Sequence, residues 1–145
     1  MPTPTYVDLS INMEREAHSD GYRVRVRSRL STSAAEEDAG ARSCNPVRFD
    51  HVALRSHHND PHAYGQLLTT TLFADDQIRR GFSAALAQAR SHNAPLRLRL
   101  ALDPQDAALH SVRWEWLQDP DDATWLALNE RVLLSRYVLV VVASR

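Results

Sequence analysis

The chain predicts an α+β or α/β domain: antiparallel strands, two to three helices and a buried strand at the end. Three observations carry this. Apolar and basic residues alternate in Tyr22-Arg23-Val24-Arg25-Val26-Arg27 and again in Leu96-Arg97-Leu98-Arg99-Leu100, the period-two signature of half-buried strands. Between them, residues 61–90 place apolar side chains at the i, i+3, i+4 spacing of helices. Finally, Tyr137-Val138-Leu139-Val140-Val141-Val142-Ala143 is a continuous apolar, β-branched run. Such a run reads as a strand covered on both faces, usually in a parallel sheet. Parallel pairing needs a crossover of about a dozen residues or more, and only Ser144 and Arg145 follow. Either earlier segments cover this strand or the chain is the front part of something larger, and the second expectation governs the functional reading.

Residues 5–11 and 22–29 read as two strands, with Asp20-Gly21 as a turn and antiparallel pairing as the simplest arrangement. Residues 31–45 are polar and small without a strong period, an exposed loop. Residues 45–54 have room for another short strand. Asp60 suits a helix N-cap with Pro61 at the first helical position, followed by the stripe Tyr64, Leu67, Leu68, Thr71 and Leu72. A second helix from Asp75 or Asp76 to about Arg90 shows the stripe Ile78, Phe82, Ala85, Leu86 and Ala89, with terminal charges matching the helix dipole. Pro95 opens a strand over Leu96–Leu102 and Asp103-Pro104 closes it. A short helix from about Gln105 carries Leu109, Val112, Trp116 and Leu117. After the turn Asp119-Pro120-Asp121-Asp122, two short strands are expected at 125–128 and 132–134, joined by Asn129-Glu130.

The 145 residues suffice for one domain with a core, and 43% hydrophobic with 24% charged residues is ordinary for a soluble protein. A net charge of -1 argues against wholesale attraction to nucleic acid or an anionic membrane. Cys44 stands alone, so no internal disulfide forms, which fits a reducing cytoplasm. The N-terminus lacks the basic and apolar regions of a signal peptide. No apolar run approaches the roughly 20 residues of a membrane helix. Neither a GxGxxG nor a GxxxxGK loop is present.

The second half resembles a known family. Tyr64-Gly65-Gln66-Leu67-Leu68, Leu72-Phe73, a helix, and then Pro95-Leu96-Arg97-Leu98-Arg99-Leu100-Ala101-Leu102-Asp103 are similar to the region preceding the protease core of CHAT proteins, bacterial caspase-like proteins often fused to tetratricopeptide repeats. In the same order come Leu109, Trp114-Glu115 with Leu117, Asp119-Pro120, Trp125-Leu126-Ala127-Leu128 and Arg136-Tyr137. Val138 to Ser144 is similar to the first core strand of the caspase-like sheet. The resemblance covers residues 61–145. It departs at Arg113, where the family has proline, and at Arg136-Tyr137, which runs into Val138 without the family's linker.

The resemblance implies three parts in a single unit: N-terminal strands and a polar loop over 1–60, a CHAT-type N-terminal subdomain over 61–137, and the start of a caspase-like core over 138–145. It implies that this chain alone is not an enzyme. The family's His-Gly and Asp-x-Cys motifs lie beyond the first core strand, and neither occurs here, so no catalytic residue carries over. The whole protein is expected to be a cysteine endopeptidase, with bacterial cell death or defence as its setting. The partner is the remainder of a protease core or another protein, not nucleic acid or membrane, with self-association through the terminal strand. Trp114, Glu115, Arg136, Tyr137, Val140 and Val142 are the candidate interface residues. The alternative is a free-standing protein–protein interaction module.

Other constellations yield to plainer readings. Cys44 near His51, His57, His58 or His62 has no fixed base beside it, as a nucleophile would require. His57-His58-Asn59-Asp60-Pro61-His62 lacks a recognised metal-ligand spacing, so no metal or cofactor is expected. Arg23, Arg25, Arg27 and Arg29 read as a solvated strand face, which Arg97 and Arg99 would extend if the two strands share a sheet. Trp114, Trp116 and Trp125 read first as core, then as a recognition surface. Glu115 is expected to pair with Arg131 or Arg136.

Overall fold

In a computed structural model, residues 5–17, 21–30, 41–42 and 46–138 are described. Strands β1 (Val7–Arg15) and β2 (Tyr22–Leu30) form the expected antiparallel pair, Ile11 opposite Val26, and a two-residue β3 (Ala41–Arg42) lines the far side of β2. Helix α1 spans His51–Ser56, α2 spans Pro61–Leu72 and α3 spans Asp76–Ser91. Strand β4 (Leu96–Leu102) follows, then the single-turn helix α4 (Ala107–Ser111), 3-10 turns at Trp114–Trp116 and Leu126–Leu128, and strand β5 (Val132–Val138). The sheet order is β3-β2-β1-β4-β5. β1, β4 and β5 run parallel to one another, so the sheet is mixed and the class is α+β.

The period-two pattern sets the layering. Val7, Leu9, Ile11, Met13, Val24, Val26, Leu96, Leu98, Leu100 and Leu102 point to one face and are buried. They share a single core cluster with Ile78, Phe82, Ala85, Leu86 and Ala89 of α3, and with Leu68 and Leu72 of α2. Burying that apolar area is the main force holding helices to the sheet.

The other face is polar. Asp8 lies opposite both Arg29 and Arg97, and Ser10 opposite both Arg27 and Arg99, so the two arginine rows share a face as the sequence suggests, with β1 between them. Arg97 Nε and Arg99 Nε lie 3.6 and 3.9 Å from Asp8 Oδ1, and the Arg97 guanidinium stacks 4.6 Å over the Tyr6 ring.

Three expectations are corrected. The helix expected from about Gln105 ends at Ser111, so Val112, Trp116 and Leu117 lie beyond it. Residues 45–54 do not form a strand: Val47 makes one isolated bridge to Tyr22, and 51–56 is helix α1. The Asp50 side chain accepts the Ala53 N–H at 3.0 Å and caps that helix, a role the strand reading overlooked. Of the two short strands expected at 125–128 and 132–134, only the second forms, as the start of β5. Trp125 bridges only Gln118, Leu126–Leu128 is a 3-10 turn, and Val132 opens β5. Val132–Leu134 pairs in a seven-residue parallel ladder from Leu96↔Val132 to Leu102↔Val138. The terminal strand is thus entered earlier than its apolar run suggests. Val132 is buried and Leu134 packs on the core, while residues 139–145 lie outside the described residues.

Candidate interaction site

The connection from β4 to β5 builds the site. Asp106 caps α4 by accepting the Leu109 N–H at 3.1 Å. The chain then turns at Val112, and the Trp114 indole goes inward: it is 1% exposed, its Nε1–H donates to the Leu109 carbonyl at 3.0 Å, and its ring meets Phe49 edge-on at 5.7 Å. Arg136, on β5, donates from Nη1 to the carbonyls of His110 and Val112 at 3.3 and 3.4 Å. Carbonyls at the end of a helix have no intrahelical partner, so a guanidinium is well placed there. This contact ties the edge strand to the segment carrying Trp114-Glu115.

A cleft of 120 Å³ between these parts is lined by Leu100, Trp114, Glu115, Leu134, Ser135 and Arg136. Three of the expected interface residues, Trp114, Glu115 and Arg136, therefore meet. Tyr137 stands in β5 opposite Ala101, and Val140 and Val142 lie outside the described residues. The expected Glu115 pairing is corrected: its ion-pair partner is Arg113, at 3.8 Å, because Arg136 is committed to the α4 carbonyls.

A second groove opens on the other side of Glu115. Tyr64 of α2 accepts the Arg113 N–H at 3.0 Å and packs edge-on against Trp116 at 5.0 Å. Gln118 donates its side-chain N–H to the His62 carbonyl at 3.2 Å and its backbone N–H to Thr69 Oγ1 at 2.8 Å. These bonds fix the 114–118 segment on α2. The Asp119–Thr124 turn returns the chain through Ala123, at φ 59°, to Trp125. In that turn the Thr124 hydroxyl and N–H hold the Asp122 carboxyl below its ordinary range. The resulting groove has a volume of 330 Å³ and is lined by Pro61, Glu115, Trp116, Trp125, Ala127 and Leu128. Leu128 is 78% exposed beside it.

The groove was not assembled from sequence. Trp114 and Trp116, two apart, diverge, one into the core and one to the groove wall. Trp125 joins Trp116 only because the 119–124 turn folds back.

Among the described residues no three His, Cys, Asp or Glu side chains converge as a metal site. His58 Nδ1 instead lies 2.9 Å from the Arg55 carbonyl, and His62 packs on Trp125. Cys44 lies outside the described residues. No described helix is long and apolar enough to cross a membrane.

No family model matches the chain, and no curated protein or solved structure matches it significantly.

Proposed function

We propose that this chain is a non-catalytic packing module, the N-terminal region of a CHAT-type caspase-like cysteine protease, acting in the bacterial cytoplasm in cell death or defence. Its role is to support the protease core and present it to partners. The observation that carries this reading is the convergence of the resembling segments. Leu109, Trp114, Leu117 and Leu126 are buried together, and Arg136 ties β5 to them. β5 runs parallel to β4 at the end of the sheet, an arrangement that supports its continuation into a neighbouring sheet. The only cysteine, Cys44, follows Arg42-Ser43 rather than an Asp-x pair, which supports assigning the nucleophile elsewhere.

The test is to read the coding sequence past codon 145 and assay the product. A frame that continues into His-Gly and Asp-x-Cys strand ends, with peptidase activity in the full product and none in residues 1–145, upholds the reading. A stop codon after Arg145 overturns it and leaves the interaction module. That alternative is favoured by one observation: Leu133, on the outer edge strand β5, is 58% exposed.

A further inference from the structure

We propose that the groove between α2 and the two 3-10 turns is a docking site for an arginine or lysine side chain of a partner protein. The inference rests on the groove alone and stands whether or not a protease core follows.

The walls are apolar and aromatic: the indoles of Trp116 and Trp125, with Pro61, Ala127 and Leu128. The single ionisable group in the lining is Glu115, whose side chain is 52% exposed. Its nearest cation, Arg113 at 3.8 Å, is beyond hydrogen-bond distance. From Arg113 to Arg131 the chain holds five carboxylates, Glu115, Asp119, Asp121, Asp122 and Glu130, against the two flanking arginines. Asp121 is engaged by Arg79 at 2.7 Å, and Asp119 is buried in its turn. Asp122 and Glu130 are exposed and add to the negative potential of this edge.

A purely apolar guest would cover the indoles but strip water from Glu115 and leave it only the long contact to Arg113. A long side chain ending in a cation satisfies both features. Its methylenes lie on the indoles, and its head meets the Glu115 carboxylate and an aromatic face. Trp116 already accepts this chemistry within the chain, since the Arg113 guanidinium sits 4.9 Å over its ring. The volume of 330 Å³ is at the lower end of small-ligand sites and suits one extended side chain.

The experiment is a nitrogen–proton NMR titration of the whole chain with two capped tripeptides, Ala-Arg-Ala and Ala-norleucine-Ala. The arginine peptide should shift the indole N–H signals of Trp116 and Trp125. That of Trp114, bonded internally to Leu109, should stay fixed. Glu115→Gln should weaken binding about three- to fivefold, the scale of an exposed cation–π or ion-pair contact. The norleucine peptide should bind more weakly by a similar factor. Because Glu115 is exposed, the variant's other signals should be unchanged, which verifies its fold. Absence of shifts, equal binding of both peptides, or a Glu115→Gln variant that binds as well as the parent would each overturn the proposal.

Discussion

Gly65 shows how one residue can decide the geometry of the groove. A Cβ at this position would collide with the Trp116 carbonyl oxygen and stand 2.9 Å from Gln118 Nε2 and 3.1 Å from the Trp125 ring. The absent side chain lets the 114–118 segment lie directly on α2. Gly65→Ala should therefore cost about 1–3 kcal/mol, the range for overpacking against an unyielding backbone. Urea unfolding would measure that loss, and a stability equal to the parent's would show that the Trp116 carbonyl has room to move. The sequence offers Gly65 only as a helix interior residue, where glycine is unfavourable. The reason for it lies in a contact with a carbonyl 51 positions away, which no local pattern encodes. The tryptophans make the same point: types and spacing announced three large aromatics, while burial sorted Trp114 from Trp116.

Helices were the most legible elements because their signals are local. Asp60 was expected as a cap and the next helix to start at Asp75 or Asp76; Asp60 accepts the Ala63 N–H at 3.1 Å, and Asp75 caps α3 by accepting the Gln77 N–H at 2.9 Å. Pro61 follows at the first position of α2, where its missing N–H has no cost. Asp60→Ala should lower stability by about 1 kcal/mol, seen as a lower midpoint in thermal or urea unfolding. An unchanged midpoint would mean that water satisfies the first turn equally well. The Asp50 cap of α1 obeys the same rule, in a segment whose sequence left room for a short strand. Strand partners were harder to read. β1 with β2 followed from proximity and a turn, but β4 lies parallel beside β1, which precedes it by some eighty residues, and takes β5 on its other side. Register and partner depend on which face must be buried, and that is decided by the rest of the core.

At the scale of the whole molecule, one polar contact joins three elements. Burial first, and then a hydrogen bond to the Asp106 carboxylate, together push the Tyr22 phenol up to about 12 from its ordinary 10.0, against a lowering by Arg15. Arg15 Nη1 also lies 3.4 Å from Asp106 Oδ2, so the contact links the end of β1, the start of β2 and the cap of α4. The folded state holds the phenolic proton more tightly than the unfolded chain does. Its contribution is thus complete below pH 10 and is lost as pH rises toward 12. The chain has no lysine, so no ammonium titrates across that window. Unfolding free energy should fall between these values, and Tyr22→Phe should flatten the fall. A Tyr22→Phe profile with the parent's slope would place the alkaline loss elsewhere.

The sequence by itself determined the class of fold, the alternating strands that make one face of the sheet apolar, the antiparallel β1–β2 pair, and the start of α2 and α3. These follow from periodicity and capping, which act within a few residues. Tertiary structure alone decided that β4 and β5 join the sheet parallel to β1, that Arg136 binds the end of α4 rather than Glu115, and that Trp116 and Trp125 line one groove. Those outcomes depend on how a shared core is filled and which backbone groups remain unpaired, conditions set by the whole chain at once.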